Sequence, residues 1–340
     1  MEYTRLGRSG LAVSRAALGT MNFGVGAEGS CAEPEAQRIV GEFLDAGGNL
    51  IDTADIYNAG TSEEIVGRAI ASRRDEVVLA TKGGGPRGRG PNTMVLSRVQ
   101  LTRALEASLR RLGTDHVDLY QCHVWDEATP TEETMSALDE FVRSGKVRYL
   151  GCSNFTVAQI IESQWAAQRL GGSGFVSLQP HYSLLARDIE AEILPACDRL
   201  GLGAITYGPL ASGMLAGRYR YGITPEPGTR MDQWLHYDNP AAARWAGAIM
   251  TERNFTIVDA VAEVAAELDT TPAAAAISWV SGRPGVSSVI LGPRSHDQLR
   301  ANLAGLDLQL PAPQREHLDA ASAPANRPVT GVPIEISATA

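Results

Sequence analysis

An alternation runs through most of the chain and limits the folds open to it: a short apolar stretch, then a longer amphipathic one, repeated eight times. Strands are predicted at Ala16–Gly19, Asn49–Thr53, Glu76–Thr81, Val117–Gln121, Arg148–Gly151, Phe175–Gln179, Ala204–Thr206 and Ser288–Leu291. Helices are predicted between and after them at Glu33–Ala46, Glu63–Ser72, Ser97–Leu112, Thr131–Ser144, Val157–Arg169 and Ile189–Leu200, then around 253–267, at 272–281 and at His296–Leu303. Glycines stand where helices should stop, at Gly47-Gly48, Gly113, Gly145 and Gly201. The strands are nearly continuously apolar, as strands covered on both faces must be. Eight such units predict an α/β fold, a closed (β/α)₈ TIM barrel rather than an open sheet. Residues 3–14, YTRLGRSGLAVS, predict a β-hairpin ahead of it.

No Pro/Gly/Ser-rich linker divides the 340 residues, so one barrel domain over 1–340 is expected. Long loops are expected at its C-terminal mouth. The main one covers about 213–250, with Arg218–Pro240 as its longest irregular stretch, and a tail covers 324–340. The tail's Pro, Thr and small residues allow it either to close over the mouth or to lie disordered. A net charge of −9 without a dense Lys/Arg run argues against nucleic acid as a partner. No apolar run is long enough for a membrane span, and MEYTRLGRSG has no apolar leader core. The four cysteines, Cys31, Cys122, Cys152 and Cys197, form no C-x-x-C pair or zinc spacing, so no metal is expected and a reduced, cytoplasmic protein fits best.

Chemistry gathers where strands hand over to loops. NLIDTADIY ends a strand with Asp52 and Tyr57, VVLATK ends one with Lys82, and VDLYQCH ends one with His123. In a parallel α/β architecture that face binds ligands. A phenol is a weak acid, with a reference pKa of about 10. A nearby ammonium stabilises its phenolate, and a carboxylate can position the ammonium. Tyr57 with Lys82 and Asp52 therefore reads as a tuned general acid, and His123 as a group that orients a carbonyl oxygen. No side chain donates hydride, so a nicotinamide cofactor is implied. Taken singly, each residue has a plainer reading: a surface lysine, a loop-capping aspartate, a satisfied core histidine, a rim tyrosine.

The ordered series GTMNFG (19–24), IDTADIY (51–57), the Lys82 strand end, DLYQCH (118–123), GKVRYLGCSNF (145–155), LQPHYSLL (178–185), YGPLASGMLAGRY (207–219) and LGPRSHDQLRAN (291–302) resembles the aldo-keto reductases over essentially the whole chain. The resemblance implies that Asp52, Tyr57, Lys82 and His123 form a catalytic tetrad with Tyr57 as proton donor. It implies that Ser153, Asn154 and Gln179 bind the nicotinamide carboxamide and that Tyr207 stacks on its ring. Gly19, Thr20 and Met21 would line the cofactor, Gly208, Leu210 and Ser212 would lie along the pyrophosphate, and Gly292, Arg294, Gln298 and Asn302 would hold the adenosine end. Arg294 as a 2′-phosphate clamp favours NADPH over NADH. Gly208 departs from the family, many members of which have serine there. Substrate would meet Phe23, Trp125, His181 and Trp234, with Met21 and Tyr237 nearby. Trp165 and Trp279, on helices, are expected to pack.

Two G-x-G-x-x-G matches, GVGAEG (24–29) and GGGPRG (83–88), are set aside. Ser30 to Pro34 separate the first from its helix, and the second contains proline. The expected activity is NADPH-dependent reduction of an aldehyde or ketone. Two alternatives stand beside it: a reductase of a nucleotide-linked deoxysugar, keto or enoyl, and a cofactor-binding relative of potassium-channel subunits. The second lacks support from any N-terminal docking extension. The expected partners are a small carbonyl substrate and, at most, further copies of the chain.

Overall fold

The computed structural model describes residues 1–25, 30–85, 96–236 and 240–324. Strands β1 (Tyr3–Arg5) and β2 (Ala12–Ser14) form the N-terminal hairpin. Then come β3 (Ala16–Gly19), the short antiparallel pair β4 (Gly24–Val25) and β5 (Ser30–Cys31), and helix α1 (Glu33–Asp45). The repeat continues with β6 (Leu50–Asp52), α2 (Thr61–Ile70), β7 (Val78–Gly83), α3 (Arg98–Leu112), β8 (Val117–Cys122), α4 (Thr131–Arg143), β9 (Val147–Ser153), α5 (Val157–Leu170), β10 (Phe175–Gln179), α6 (Ile193–Leu200) and β11 (Gly203–Thr206). After β11 come α7 (Arg230–His236), α8 (Pro240–Ile249), α9 (Glu252–Glu267), α10 (Pro272–Ser281), β12 (Val286–Leu291), α11 (His296–Asp307) and α12 (Ala312–Ala321).

Eight parallel strands close on themselves in the order β3-β6-β7-β8-β9-β10-β11-β12, so the fold is a (β/α)₈ TIM barrel. Their residues are almost entirely buried, because helices cover the outside and side chains fill the inside. An inner cluster, with Leu50, Ala80, Leu119 and Ile205, plugs the barrel against the hairpin residues Leu6 and Val13. The larger cluster lies between strands and helices.

Three differences from the sequence reading have local causes. The stretch after β11, expected as a loop over 213–250, carries α7 and α8 within it. Helix α12 was not expected; Pro311 before it and Pro313 within its first turn pre-set its start. Trp165, expected to pack, is 57% exposed, with the Arg169 guanidinium over its ring. Trp279 packs as expected, between Arg187 and Arg283. Tyr237, residues 26–29 of GVGAEG, residues 86–95 and the tail beyond Pro324 lie outside the described residues.

The strand that presents Lys82 is anchored from behind by a buried charge. Glu63 of α2 is fully buried; it accepts from Thr81 Oγ1 (2.6 Å) and from Arg111 Nε of α3 (2.7 Å). Removing one member of a buried pair leaves the other uncompensated. Glu63→Ala is therefore expected to lower stability by about 3–5 kcal/mol, read as a fall in urea midpoint at unchanged slope. A loss below about 1 kcal/mol would show that Arg111 finds water instead.

Candidate active site

Lys82 is the penultimate residue of β7, and its ammonium is buried inside the barrel near the mouth. Its Nζ donates to Asp52 Oδ2 at 2.6 Å, to the Thr53 carbonyl at 2.9 Å and to Tyr57 Oη at 3.0 Å. An ammonium has three protons, and three acceptors meet them. Burial pulls the Lys82 ammonium down. The Asp52 carboxylate, Tyr57 and the hydrogen bonds to both outweigh it, and the group is held above its ordinary range.

Tyr57 reaches this point because the chain reverses sharply after β6. Asn58 and Ala59 are held at φ 46° and 56°, and Gly60 at φ 101° opens α2. The turn lays the phenol ring over Lys82, with Nζ 4.7 Å from the ring centroid. His123 follows β8, its backbone N–H bonded to the Gly83 carbonyl, and its ring meets Tyr57 edge-on at 5.9 Å. Its Nδ1 is buried without a partner. A buried N–H without an acceptor is the less tolerable choice, so we assign the proton to Nε2. Burial, and then the Lys82 charge, push the imidazole down to about 3, so it is neutral at working pH.

The expected carboxamide residues are bonded to one another. Ser153 Oγ donates to the Gln179 carbonyl at 2.9 Å, and Asn154 Nδ2 donates to Ser153 Oγ at 3.0 Å and to the His123 carbonyl at 3.3 Å. Asn154, at φ 61°, accepts the Tyr207 hydroxyl on Oδ1 at 2.9 Å. Gln179 Nε2 donates to Asp52 Oδ1 at 2.8 Å. Tyr207 stacks on His181 at 5.1 Å and 26°. This explains Gly208: a Cβ there would lie 2.8 and 2.9 Å from the His181 ring, at φ 73°. The ring fills the space that a serine side chain would take. His181 therefore packs behind Tyr207.

Along the other edge, Leu210 and Ser212 lie in the turn after β11, with Ala211 and Ser212 at φ 45° and 58°. Gly292 accepts from Asn22 Nδ2 at 2.9 Å, and Asn22 Oδ1 accepts from Arg230, which fastens the segment after β11 to the ends of β3 and β12. The Arg294 backbone N–H donates to Gln298 Oε1 at 2.9 Å, and Asn302 is buried one turn further along α11. The Arg294 guanidinium is half-buried and has no carboxylate partner among the described residues. Burial, and then the nearby Arg218 charge, hold it below its ordinary range. Two guanidiniums beside one another, neither with a carboxylate partner among the described residues, fit a polyanion, and Gln179 Oε1, unbonded among the described residues, fits an amide donor. The residues present thus fit a nicotinamide dinucleotide. Gln121, Arg218 and Arg230 were not singled out from the sequence.

Some expected contacts move elsewhere. Thr20 is fully buried, and its hydroxyl is tied to the Asp52 carbonyl (3.1 Å) and Ser62 (2.9 Å), so it braces Asp52 and does not line the cleft. A Cβ on Gly19 would lie 2.5 Å from Ile290, so its smallness serves packing. Phe23 is fully buried and no substrate wall, whereas Met21 is 37% exposed. Trp125 packs edge-on against Phe155 at 5.2 Å, and Trp234 lies against Arg230. Burial pushes the Cys122 thiol up to about 12 and that of Cys197 to about 11, so both stay protonated. Among the described residues no group of three His, Cys, Asp or Glu is placed to hold a metal, and no helix is long and apolar enough to cross a membrane.

A barrel with an ammonium, a carboxylate and a phenol in contact at its mouth defines an oxidoreductase-like site of the carbonyl-reducing kind. The chain belongs to the Aldo/keto reductase family, which it matches over residues 15–323. It is 41% identical to an uncharacterized oxidoreductase, YrpG, of Bacillus subtilis, over 91% of this chain and 92% of the other. It is 36% identical to a probable voltage-gated potassium channel subunit beta of Oryza sativa subsp. japonica, over 91% and 92%. It is 32% identical to versiconal hemiacetal acetate reductase of Aspergillus parasiticus, over 94% and 96%. The protein is accordingly an oxidoreductase of NAD(P)H-dependent carbonyl reduction.

The neutral His123 has a thermodynamic signature. Its folded value of about 3 lies below the ordinary 6.5, so the unfolded chain binds the extra proton and stability falls as pH falls below about 6.5. His123→Asn removes this term. Between pH 7 and pH 5 the wild type should lose about 2 kcal/mol more than the variant in urea unfolding. Equal losses would show that His123 takes up a proton in the folded protein.

Proposed function

We propose that this protein reduces an aldehyde or ketone with NADPH, and that Tyr57 gives the proton to the carbonyl oxygen. The observation that carries this reading is the Lys82–Tyr57 hydrogen bond, 3.0 Å, on an ammonium already held by Asp52. Because the Tyr57 oxygen accepts from Lys82, its own proton is directed away from the ammonium. The same contact stabilises the phenolate left after transfer. His123, neutral and protonated on Nε2, donates to the substrate oxygen and orients it without competing as an acid. When bound, NADPH supplies the hydride that side chains cannot. Ser153, Asn154 and Gln179 would hold its carboxamide, Tyr207 would cover its ring, and Arg294 with Arg218 would bind its phosphates. To admit the carboxamide, Asn154 must release the Tyr207 hydroxyl. The products are the alcohol and NADP⁺.

A second reading, a cofactor-binding partner of a membrane protein, is supported by the similarity to the rice channel subunit. Turnover separates the two. Fluorescence titration should show NADPH bound at least about tenfold more tightly than NADH, with Arg294→Met abolishing most of the difference. Equal affinities in the wild type would remove Arg294 as a phosphate clamp. Tyr57→Phe should lower kcat for p-nitrobenzaldehyde by about 10²–10⁴ while NADPH affinity stays within about threefold. Near-full activity in Tyr57→Phe would sink the proton-donor role, and a wild type that binds NADPH without turnover of any carbonyl compound would favour the second reading.

A further inference from the structure

We infer that Gln121 is a positioning residue for proton transfer: its buried amide occupies Asp52 Oδ1 together with Gln179, and so confines the Lys82 ammonium to Asp52 Oδ2 and Tyr57. The inference rests on Tyr57 as proton donor and deepens that reading.

An ammonium beside a carboxylate has two stable arrangements, on one oxygen or astride both. Here Oδ1 already accepts from Gln121 Nε2 at 3.0 Å and from Gln179 Nε2 at 2.8 Å. Lys82 is left with Oδ2, and its remaining protons go to the Thr53 carbonyl and Tyr57. The two amides also orient each other, because Gln179 Nε2 lies 3.3 Å from Gln121 Oε1. Flipping either would set oxygen against oxygen, so the arrangement is a closed ring of Asp52, Gln121 and Gln179. Gln179 Oε1 is thereby turned from the carboxylate.

The barrel is built to permit this ring. Gln121 is on β8 and Gln179 on β10, with β9 between them. Gln121 pairs in register with Gly151, and Gly151 with Ser177. A Cβ on Gly151 would lie 3.1 Å from Gln121 Cγ and 2.5 Å from Ser177 Oγ. A residue without a side chain on the middle strand leaves room for the Gln121 side chain where it runs past Ser177 toward Gln179, which itself pairs with Ser153. Gln121 is fully exposed to none of the solvent and carries no charge, so its effect on Tyr57 is geometric. The titratable groups facing the cluster are Lys82 from β7, Tyr57 and Asp52 from β6 and its turn, His123 beyond β8 and Tyr207 beyond β11.

The test is the pH profile of kcat for NADPH-dependent reduction of p-nitrobenzaldehyde by the holoenzyme, with Tm and NADPH affinity measured alongside. Reduction needs Tyr57 protonated, so activity falls as pH rises through its ionisation. In Gln121→Met the ammonium can straddle Asp52 and support the phenolate less. Tyr57 then holds its proton to higher pH but is a weaker acid. The basic limb should move up by about half a pH unit or more, plateau kcat should fall about tenfold, and NADPH affinity should stay within about threefold. In Gln121→Glu the carboxyl can donate to Oδ1 only while protonated, so its activity should exceed that of Gln121→Met near pH 6 and lose that advantage by about pH 9. A folded Gln121→Met with a lower plateau but an unmoved limb would overturn the inference, since packing alone lowers rate at every pH. If that variant does not fold, a Gln121→Glu profile parallel to the wild type at all pH overturns it equally. Tyr57→Phe, run in the same series, separates the two levels: retained turnover there defeats the proton-donor reading itself, whereas lost turnover with an unmoved Gln121 limb defeats only the role of Gln121.

Discussion

An ammonium taken out of water must be met by charge and by acceptors, and Lys82 is taken out almost completely, with 1% of its side chain exposed. Asp52 supplies the opposite charge, itself only 3% exposed. Thr53 and Tyr57 supply the other acceptors. This requirement explains much of the surrounding architecture. Asp52 must come within reach of Lys82 from the neighbouring strand, and the β6–β7 register, pairing Asp52 with Ala80 two residues before Lys82, leaves a gap that the long lysine side chain closes. The chain after β6 must double back, and Asn58 to Gly60 adopt left-handed backbone to make it do so. Glu63 and Thr81 brace β7 from the helix side.

How much of this was legible depends on whether a residue declares itself along the chain or only across it. The strands did, as apolar runs, and so did the residues at their ends, because a lysine or histidine closing such a run breaks its pattern. Gln121 did not. One polar residue inside VDLYQC looks like a strand position facing anywhere, and its partner Gln179 is two strands away. Gly151 was likewise only a glycine near a strand end until the register put it between Gln121 and Ser177. Side-chain direction was the other gap. Thr20 and Phe23 lie in the segment after β3 that faces the mouth, yet both side chains turn inward. Adjacency to a mouth in sequence does not say which way a residue points. Helix α12 has no strand partner after it and so stood outside the repeat that revealed the others.

Gly208 shows how a departure from a family pattern can be compensated nearby. Read alone, it is the loss of a hydroxyl. In the fold, the His181 ring lies against the place where that side chain would start, and stacks on Tyr207. Burial lowers the His181 imidazole below its ordinary value, which disfavours its charged form next to the aromatic ring. The pair supports Tyr207 by stacking where a serine would have offered a hydrogen bond.

The charge distribution at the mouth then follows a single rule. Lys82 and Asp52 keep one full ion pair buried, and the side chains that hydrogen-bond to it carry no fixed charge: Gln121 and Gln179 on the carboxylate and the Tyr57 phenol on the ammonium. A further charge within this layer would compete for Lys82 or Asp52 and loosen the Lys82–Tyr57 contact. Positive charge without a carboxylate partner among the described residues lies instead at Arg218 and Arg294, beside the segment after β11 and the start of α11, where a cofactor's phosphates would meet it. On the proposed reading, proton chemistry and anion binding would be served by separate charges on one barrel face, so a change in one guanidinium would alter which cofactor is held without disturbing the hydrogen bonds around Tyr57.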